Sequence, residues 1–179
     1  MRKCLLGLIL LASVAGLSGC GGGAGSLLGG GCSPHNYSLT FPSTSGYSTS
    51  GSITSATACF SSATVSTYAS TLPILGVPYT PSGPSPQILL YLGLTFSANE
   101  YASGLPALTV TLPSGVTTAN RQFYLAYNGG GGGALGWLTN VVGPVTASGS
   151  TVSFPSGGGN TTFDANQEAE FAVYSVAGT

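Results

Sequence analysis

Between Ile88 and Phe96 the chain alternates with a period of two, so that Ile88, Leu90, Leu92, Leu94 and Phe96 fall on one side of an extended backbone. Successive side chains of a strand point to opposite faces, and a run like this has one continuous apolar face to cover. Its other side, with Leu89 and Tyr91, is also partly apolar, which predicts a central strand. The pattern recurs along the chain. Tyr37, Leu39 and Phe41 alternate with Ser38 and Thr40, and Leu108, Val110 and Leu112 with Thr109 and Thr111. Phe123, Leu125 and Tyr127 alternate with Gln122, Tyr124 and Ala126, and Val152 and Phe154 with Thr151 and Ser153. Phe171 and Val173 open a last strand that runs to about Val176. Ile53 to Phe60, Thr64 to Ala69 and Leu135 to Val142 carry weaker signals.

Three of these runs end alike, at Phe41-Pro42-Ser43, Leu112-Pro113-Ser114 and Phe154-Pro155-Ser156. Proline cannot donate to a strand ladder and ends pairing, and serine then turns the chain. Thr, Ser, Val and Gly dominate, and all are poor in helix interiors, so no helix is predicted. Eight or nine short strands predict an all-β fold, an antiparallel β-sandwich. The pattern resembles an immunoglobulin-like domain in the broad sense, without its Cys-Trp-Cys core, because Trp137 follows both body cysteines. A jelly roll or small barrel is the alternative. Residues Pro78 to Pro86 (PYTPSGPSP) predict an exposed, partly polyproline loop, and Asn128 with the five glycines after it a long hairpin tip.

The N-terminus carries a different signal. Arg2 and Lys3 precede an apolar stretch from Leu5 to Leu17, and Leu17-Ser18-Gly19-Cys20 closes it. This segment resembles the signal peptide and lipobox of bacterial lipoproteins. The apolar stretch is short of the ~20 residues that span a bilayer. The resemblance implies export, cleavage before Cys20 and a diacylglyceryl group on the Cys20 thiol. It also implies two or three acyl chains there, enough for stable anchoring where one chain binds only marginally. Gly21 to Gly31 (GGGAGSLLGGG) then reads as a flexible tether whose eleven residues give an rms reach of about 18 Å. The expected organisation is a signal peptide over 1–19, a lipidated cysteine and glycine-rich tether over 20–31, and a β-sandwich over 32–179. In an exported body, Cys32 and Cys59 read as a disulfide. Closing a loop of about 28 residues would contribute roughly 3–4 kcal/mol in the chain-entropy account.

Composition bounds the function. The chain has 3 Lys and Arg and 4 Asp and Glu, and beyond Lys3 the only cation is Arg121. Nucleic-acid binding by phosphate neutralisation needs clustered cations and is not expected. With Glu100, Asp164, Glu168 and Glu170 as the only carboxylates, acid has little to titrate. The melting temperature is therefore expected to change little between neutral pH and about pH 3.

No catalytic set stands out. His35 is the only histidine and reads as an exposed or capping residue where the body begins. No serine lies in a GxSxG context, and Gly131 to Gly136 satisfies GxGxxG formally but between two strands, where the motif has no helix to open. Asp164, Asn166, Glu168 and Glu170 form a thin candidate for Ca²⁺ without EF-hand spacing, so no metal is expected. Glu168 and Glu170 read as a solvated strand edge. Trp137 with Tyr124 and Tyr127 is the candidate aromatic ligand platform. The expected function is a membrane-anchored, exported lipoprotein with a non-catalytic β-sandwich in an envelope, adhesion or binding role, with an envelope protein or a glycan as partner. No cofactor is expected. The alternatives are a carbohydrate-binding module using those aromatic residues and a secreted hydrolase. Cys20→Ala is expected to move the protein from the membrane fraction to the soluble fraction while the body stays folded, as read by fractionation and circular dichroism.

Overall fold

The structure, a computed structural model, describes residues 34–55, 63–129 and 136–178. Cys20, Cys32 and Cys59 lie outside the described residues, as does most of the Gly131 to Gly136 run. Eleven strands are seen among the described residues: β1 (His35–Thr40), β2 (Ser48–Ser55), β3 (Val65–Ser70), β4 (Gln87–Phe96), β5 (Glu100–Ala102), β6 (Ala107–Thr111), β7 (Arg121–Asn128), β8 (Trp137–Val145), β9 (Thr151–Phe154), β10 (Thr161–Phe163) and β11 (Glu168–Ala177). All named strand pairs are antiparallel.

The strands form two sheets that pack face to face as a β-sandwich. In the first, β2 pairs with β1 on one side and with both β6 and β5 on the other; β9 and β10 lie beyond. β5 and β6 are two parts of one interrupted strand. Ala102↔Thr161, Leu105↔Gly157 and Leu108↔Phe154 continue almost one ladder, so β9 and β10 are likewise one broken strand. Eleven strands thus correspond to nine paired runs, close to the eight or nine expected. The breaks fall at Pro106 and Pro155, which have no N–H to give to the ladder. The second sheet has the order β3-β4-β11-β7-β8. The two sheets are separately hydrogen-bonded, so the fold is a sandwich rather than a closed barrel.

The main core lies between the sheets. Leu39, Ile53, Leu108, Val110, Val152 and Phe154 face Leu90, Leu92, Leu94, Phe123, Leu125, Phe171 and Val173, all buried. Strand alternation accounts for these positions with one exception. Between β4 and β11 the register shifts, with Val173 opposite Leu90 and Tyr174 opposite Ile88. Leu89 is the extra residue of this bulge. One inserted residue flips every side chain before it, so Leu89 enters the main core and Ile88 moves to the outer face.

A second, smaller core covers that outer face. Tyr79, Tyr91, Ala126, Ala172, Tyr174 and Val176 are buried there, with Ile74, Ile88, Tyr124 and Trp137 packed around them. Its roof is the 71–86 segment between β3 and β4. The expectation of an exposed loop holds for Thr80 and Ser82 to Pro86 and is corrected near its start, where Tyr79 is 5% exposed and turned into the sheet. Ala126 and Ala172 sit opposite one another on β7 and β11, and two small side chains leave room for that ring. Gly83 lies so close to the sheet that a Cβ there would come within 2.8 Å of Val176 Cγ1.

Gly51 shows how tightly the first sheet is built. It lies mid-strand in β2, opposite Leu39 and Leu108, and a Cβ there would land on the Ala107 carbonyl and within 2.8 Å of Leu108 Cδ2. Gly51→Ala is expected to lower stability by about 1–3 kcal/mol, read as a lower urea midpoint with an unchanged slope.

Candidate functional site

Strand polarity gives the sandwich two poles. At one lie His35, Ser55, Phe96, Phe163, Glu168 and Asn128; at the other lie Thr40, Ser70, Gln87, Thr111, Arg121, Val145 and Ala177. The polar groups divide between these poles.

At the first pole Glu100 is 2% exposed and accepts hydrogen bonds from the Tyr37 hydroxyl at 2.8 Å and from Ser55 Oγ at 2.6 Å. A buried carboxylate needs such donors, and these tie β1, β2 and β5 together. Glu170 is fully buried on the outer face, and its Oε1 accepts the Ile74 amide of the 71–86 roof. The reading of Glu168 and Glu170 as a solvated edge is therefore corrected. β11 is the middle strand of its sheet, and Glu170 is an anchor for the loop above it. Burial pushes the Glu170 carboxyl above its usual range; the Ile74 and Leu75 amides oppose this, and Glu168 adds to it. Burial also raises Glu168. In register, Gly93, Glu170, Asn128 and Trp137 form one row across β4, β11, β7 and β8.

The three residues of the expected aromatic platform are not brought together. Tyr127 points into the main core, 7% exposed, against Phe171 with ring centroids 5.0 Å apart. Burial, with Asp164 nearby, pushes its phenol up to about 12. Trp137 packs on the outer face beneath the roof, 4.8 Å from Tyr79 and 6.2 Å from Tyr91. Tyr124 shares that face and stacks on Tyr174, centroids 5.4 Å apart and planes 19° from parallel. Burial lifts the Tyr79 phenol well above the ordinary tyrosine value, with Tyr174 adding to the effect. Tyr127 is therefore a core residue; Trp137 and Tyr124 are both half-buried on the outer face, and Tyr124 is the one that lines a groove. His35 is exposed at the start of β1, its ring 4.6 Å from that of Tyr37. Among the described residues no group of three His, Cys, Asp or Glu is placed to hold a metal.

Among the described residues two grooves open at the second pole and share Gln122. The larger, about 540 Å³, is lined by Thr118, Asn120, Arg121, Gln122, Thr146, Ala147 and Gly178. The smaller, about 320 Å³, is lined by Ser82, Gly83, Pro84, Gln122, Tyr124, Val176 and Ala177. Such volumes suit a small ligand or part of a chain-like one. Asn120, at φ 54°, turns the chain into β7, and its carbonyl accepts the Gly178 amide at 2.7 Å. The roof closes one side: Ala177 N–H donates to Pro84 O at 3.0 Å, and Arg121 Nη2 donates to Ser85 O at 3.0 Å. Arg121 also donates from Nε to Ser175 Oγ at 2.8 Å and from Nη2 to Ser175 O at 3.1 Å. The Tyr124 hydroxyl donates to Gln122 Oε1 at 2.9 Å, which fixes that amide. Sequence reasoning singled out Arg121 only as the last cation; its part in a groove depends on β7, β8, β11 and the roof converging, which no local pattern announces. Chemically the grooves offer hydroxyls, amides, one guanidinium and one aromatic edge, a set for recognising a polar ligand.

No family model, curated protein or solved structure matches the chain.

Glu168 and Glu170 set a sign for pH dependence. A carboxyl whose folded pKa is raised stabilises the fold fully below its unfolded value, and that contribution is lost as pH rises through the folded pKa. In place of the near-indifference to pH that the small number of carboxylates suggested, acidification from pH 7 toward about 4.5, the ordinary Glu value, is expected to raise the melting temperature through Glu168 and Glu170. Glu170→Gln is expected to flatten that rise and to increase stability at pH 7, with calorimetry across the range as the measurement.

Proposed function

We propose that the chain is an exported lipoprotein, held to a membrane by lipid on Cys20, and that its β-sandwich is a non-catalytic binding or adhesion module. The groove pair around Gln122 is its recognition surface. The lipobox resemblance and the glycine-rich tether support the anchoring. The observation that carries the binding reading is the groove pair itself, lined by hydroxyls, amides, one guanidinium and Tyr124 on strand ends and turns, at the pole opposite the start of β1. The buried side chains have structural uses: Glu100 joins three strands and Glu170 holds the roof.

A carbohydrate partner is favoured over a flat protein partner by Tyr124, which lines the smaller groove beside Gln122. Sugars offer an apolar ring face and flanking hydroxyls, and a tyrosine with a neighbouring amide matches both. Trp137 and Tyr127 have no part in this reading. A glycan array probed with the detergent-purified full chain is expected to give binders whose signal falls with Tyr124→Ala and persists with Trp137→Ala. Signal indifferent to Tyr124→Ala would remove the grooves as the site, and a blank array would remove glycans as the partner.

A further inference from the structure

Arg121 is held rigidly, yet no carboxylate holds it. Its three hydrogen bonds go to Ser175 Oγ, Ser175 O and Ser85 O, all uncharged, and engage only Nε and Nη2. The four carboxylates are gathered at the other pole. Glu100 pairs with Phe163, Glu168 with Thr95 and Glu170 with Asn128, and Asp164 follows Phe163. Arg121 begins β7 and Asn128 ends it. Seven residue steps separate the two, about 23 Å at the usual strand rise. That exceeds the ~8 Å screening length of physiological salt several times over. The body's only Lys or Arg side chain therefore lines the larger groove, with no acidic side chain of the described residues near it.

A guanidinium already fixed by neutral bonds has lost its conformational freedom before any ligand arrives. Nη1 takes no part in those bonds and has two N–H groups to give. The groove that Arg121 lines also carries Thr118, Asn120, Gln122 and Thr146, each able to bond a hydroxyl, and Tyr124 follows in the adjoining groove. A ligand matching one cation within a long neutral polar trough carries one anion per unit and many hydroxyls. Nucleic acid does not fit, because its closely spaced phosphates would meet a single cation.

We infer that the groove pair binds a carboxylate-bearing polysaccharide, one carboxylate seated on Arg121 and the flanking sugar hydroxyls on the amides and hydroxyls of the trough. This rests on the binding-module reading above and adds the charge of the ligand and the residue that reads it. Thr146, exposed on the groove wall, is the position at which an added protein carboxylate would compete.

The test uses the detergent-purified full chain and two probes of equal length, oligogalacturonate and its methyl ester, titrated by calorimetry. The charged probe is expected to bind roughly tenfold or more tightly than the ester, the worth of one charge-assisted hydrogen bond. Arg121→Gln is expected to abolish the difference, and Arg121→Lys to keep part of it. Because Arg121→Gln also removes the bonds to Ser85 and Ser175, Thr146→Glu is the companion variant. It leaves Arg121 in place and is expected to weaken the charged probe selectively. Equal binding of both probes by the wild type, or a preference that survives both Arg121→Gln and Thr146→Glu, overturns the assignment of charge while leaving the binding module standing. Failure to bind either probe overturns the polysaccharide assignment, and a glycan array positive elsewhere then separates that failure from failure of the binding reading.

Discussion

Strand β11 is buried on both faces, and much of the architecture follows from covering it. Its inward side chains, Ala169, Phe171, Val173 and Ser175, need the opposing sheet; its outward ones, Glu170, Ala172, Tyr174 and Val176, need a separate cover. β4 and β7 pair along its length and satisfy its backbone. The 71–86 segment supplies the outer cover, pinned at Ile74 by Glu170, in the middle by Tyr79, and at its end by the Ala177 and Arg121 bonds. A central strand with a polar outer face would not need that roof, and without the roof the smaller groove would lose its Ser82, Gly83 and Pro84 wall.

The chain manages with few charges because each has a defined setting. Glu100 is held by two hydroxyls, Glu170 by backbone amides with its Oε2 left buried and unpartnered, and Arg121 by a hydroxyl and carbonyls. None of these partners is an ion of opposite sign. Neutral donors keep a buried carboxylate solvated without the desolvation cost of a second ion. For Glu170 burial outweighs its amide donors, so the carboxyl is easier to protonate than a free one. At this carboxyl, protonation favours the folded state, opposite to the usual part that carboxylates play in acid unfolding.

The acids and the grooves lie at opposite poles. Glu100 and Glu170 stand at the end where β1 starts, and the grooves open beside Arg121. A two-sheet sandwich suits this division, since its rigid strands separate the ends while loops at each end vary freely. The proposed tether adds reach, and the proposed ligand meets residues on strand ends and short turns, which hold their geometry better than free loops.

Much of the fold was legible from alternation alone. Leu39, Leu92, Leu108, Val110, Leu125, Val152 and Phe171 are buried as their period-two positions predict, and the three Pro-Ser endings do close β1, β6 and β9. Alternation failed at Ile88, because a bulge is a property of two paired strands and not of one. It missed β5 and β10, three residues each, too short to show a period. It placed Glu170 at an edge because charge usually means solvent, whereas the tertiary fold brought two backbone amides over it. The platform of Trp137, Tyr124 and Tyr127 failed for the same kind of reason. Strand parity already separates Tyr124 from Tyr127, and only the descent of Tyr79 onto Trp137 shows which aromatic stays open. By itself the sequence determined the strands, their inward faces and the sandwich class, because hydrophobic periodicity is a local property of an extended chain. The tertiary structure alone decided where the polar groups meet, because Arg121, Gln122, Thr146 and the 82–85 segment are distant in sequence and adjacent only once two sheets and a roof have packed.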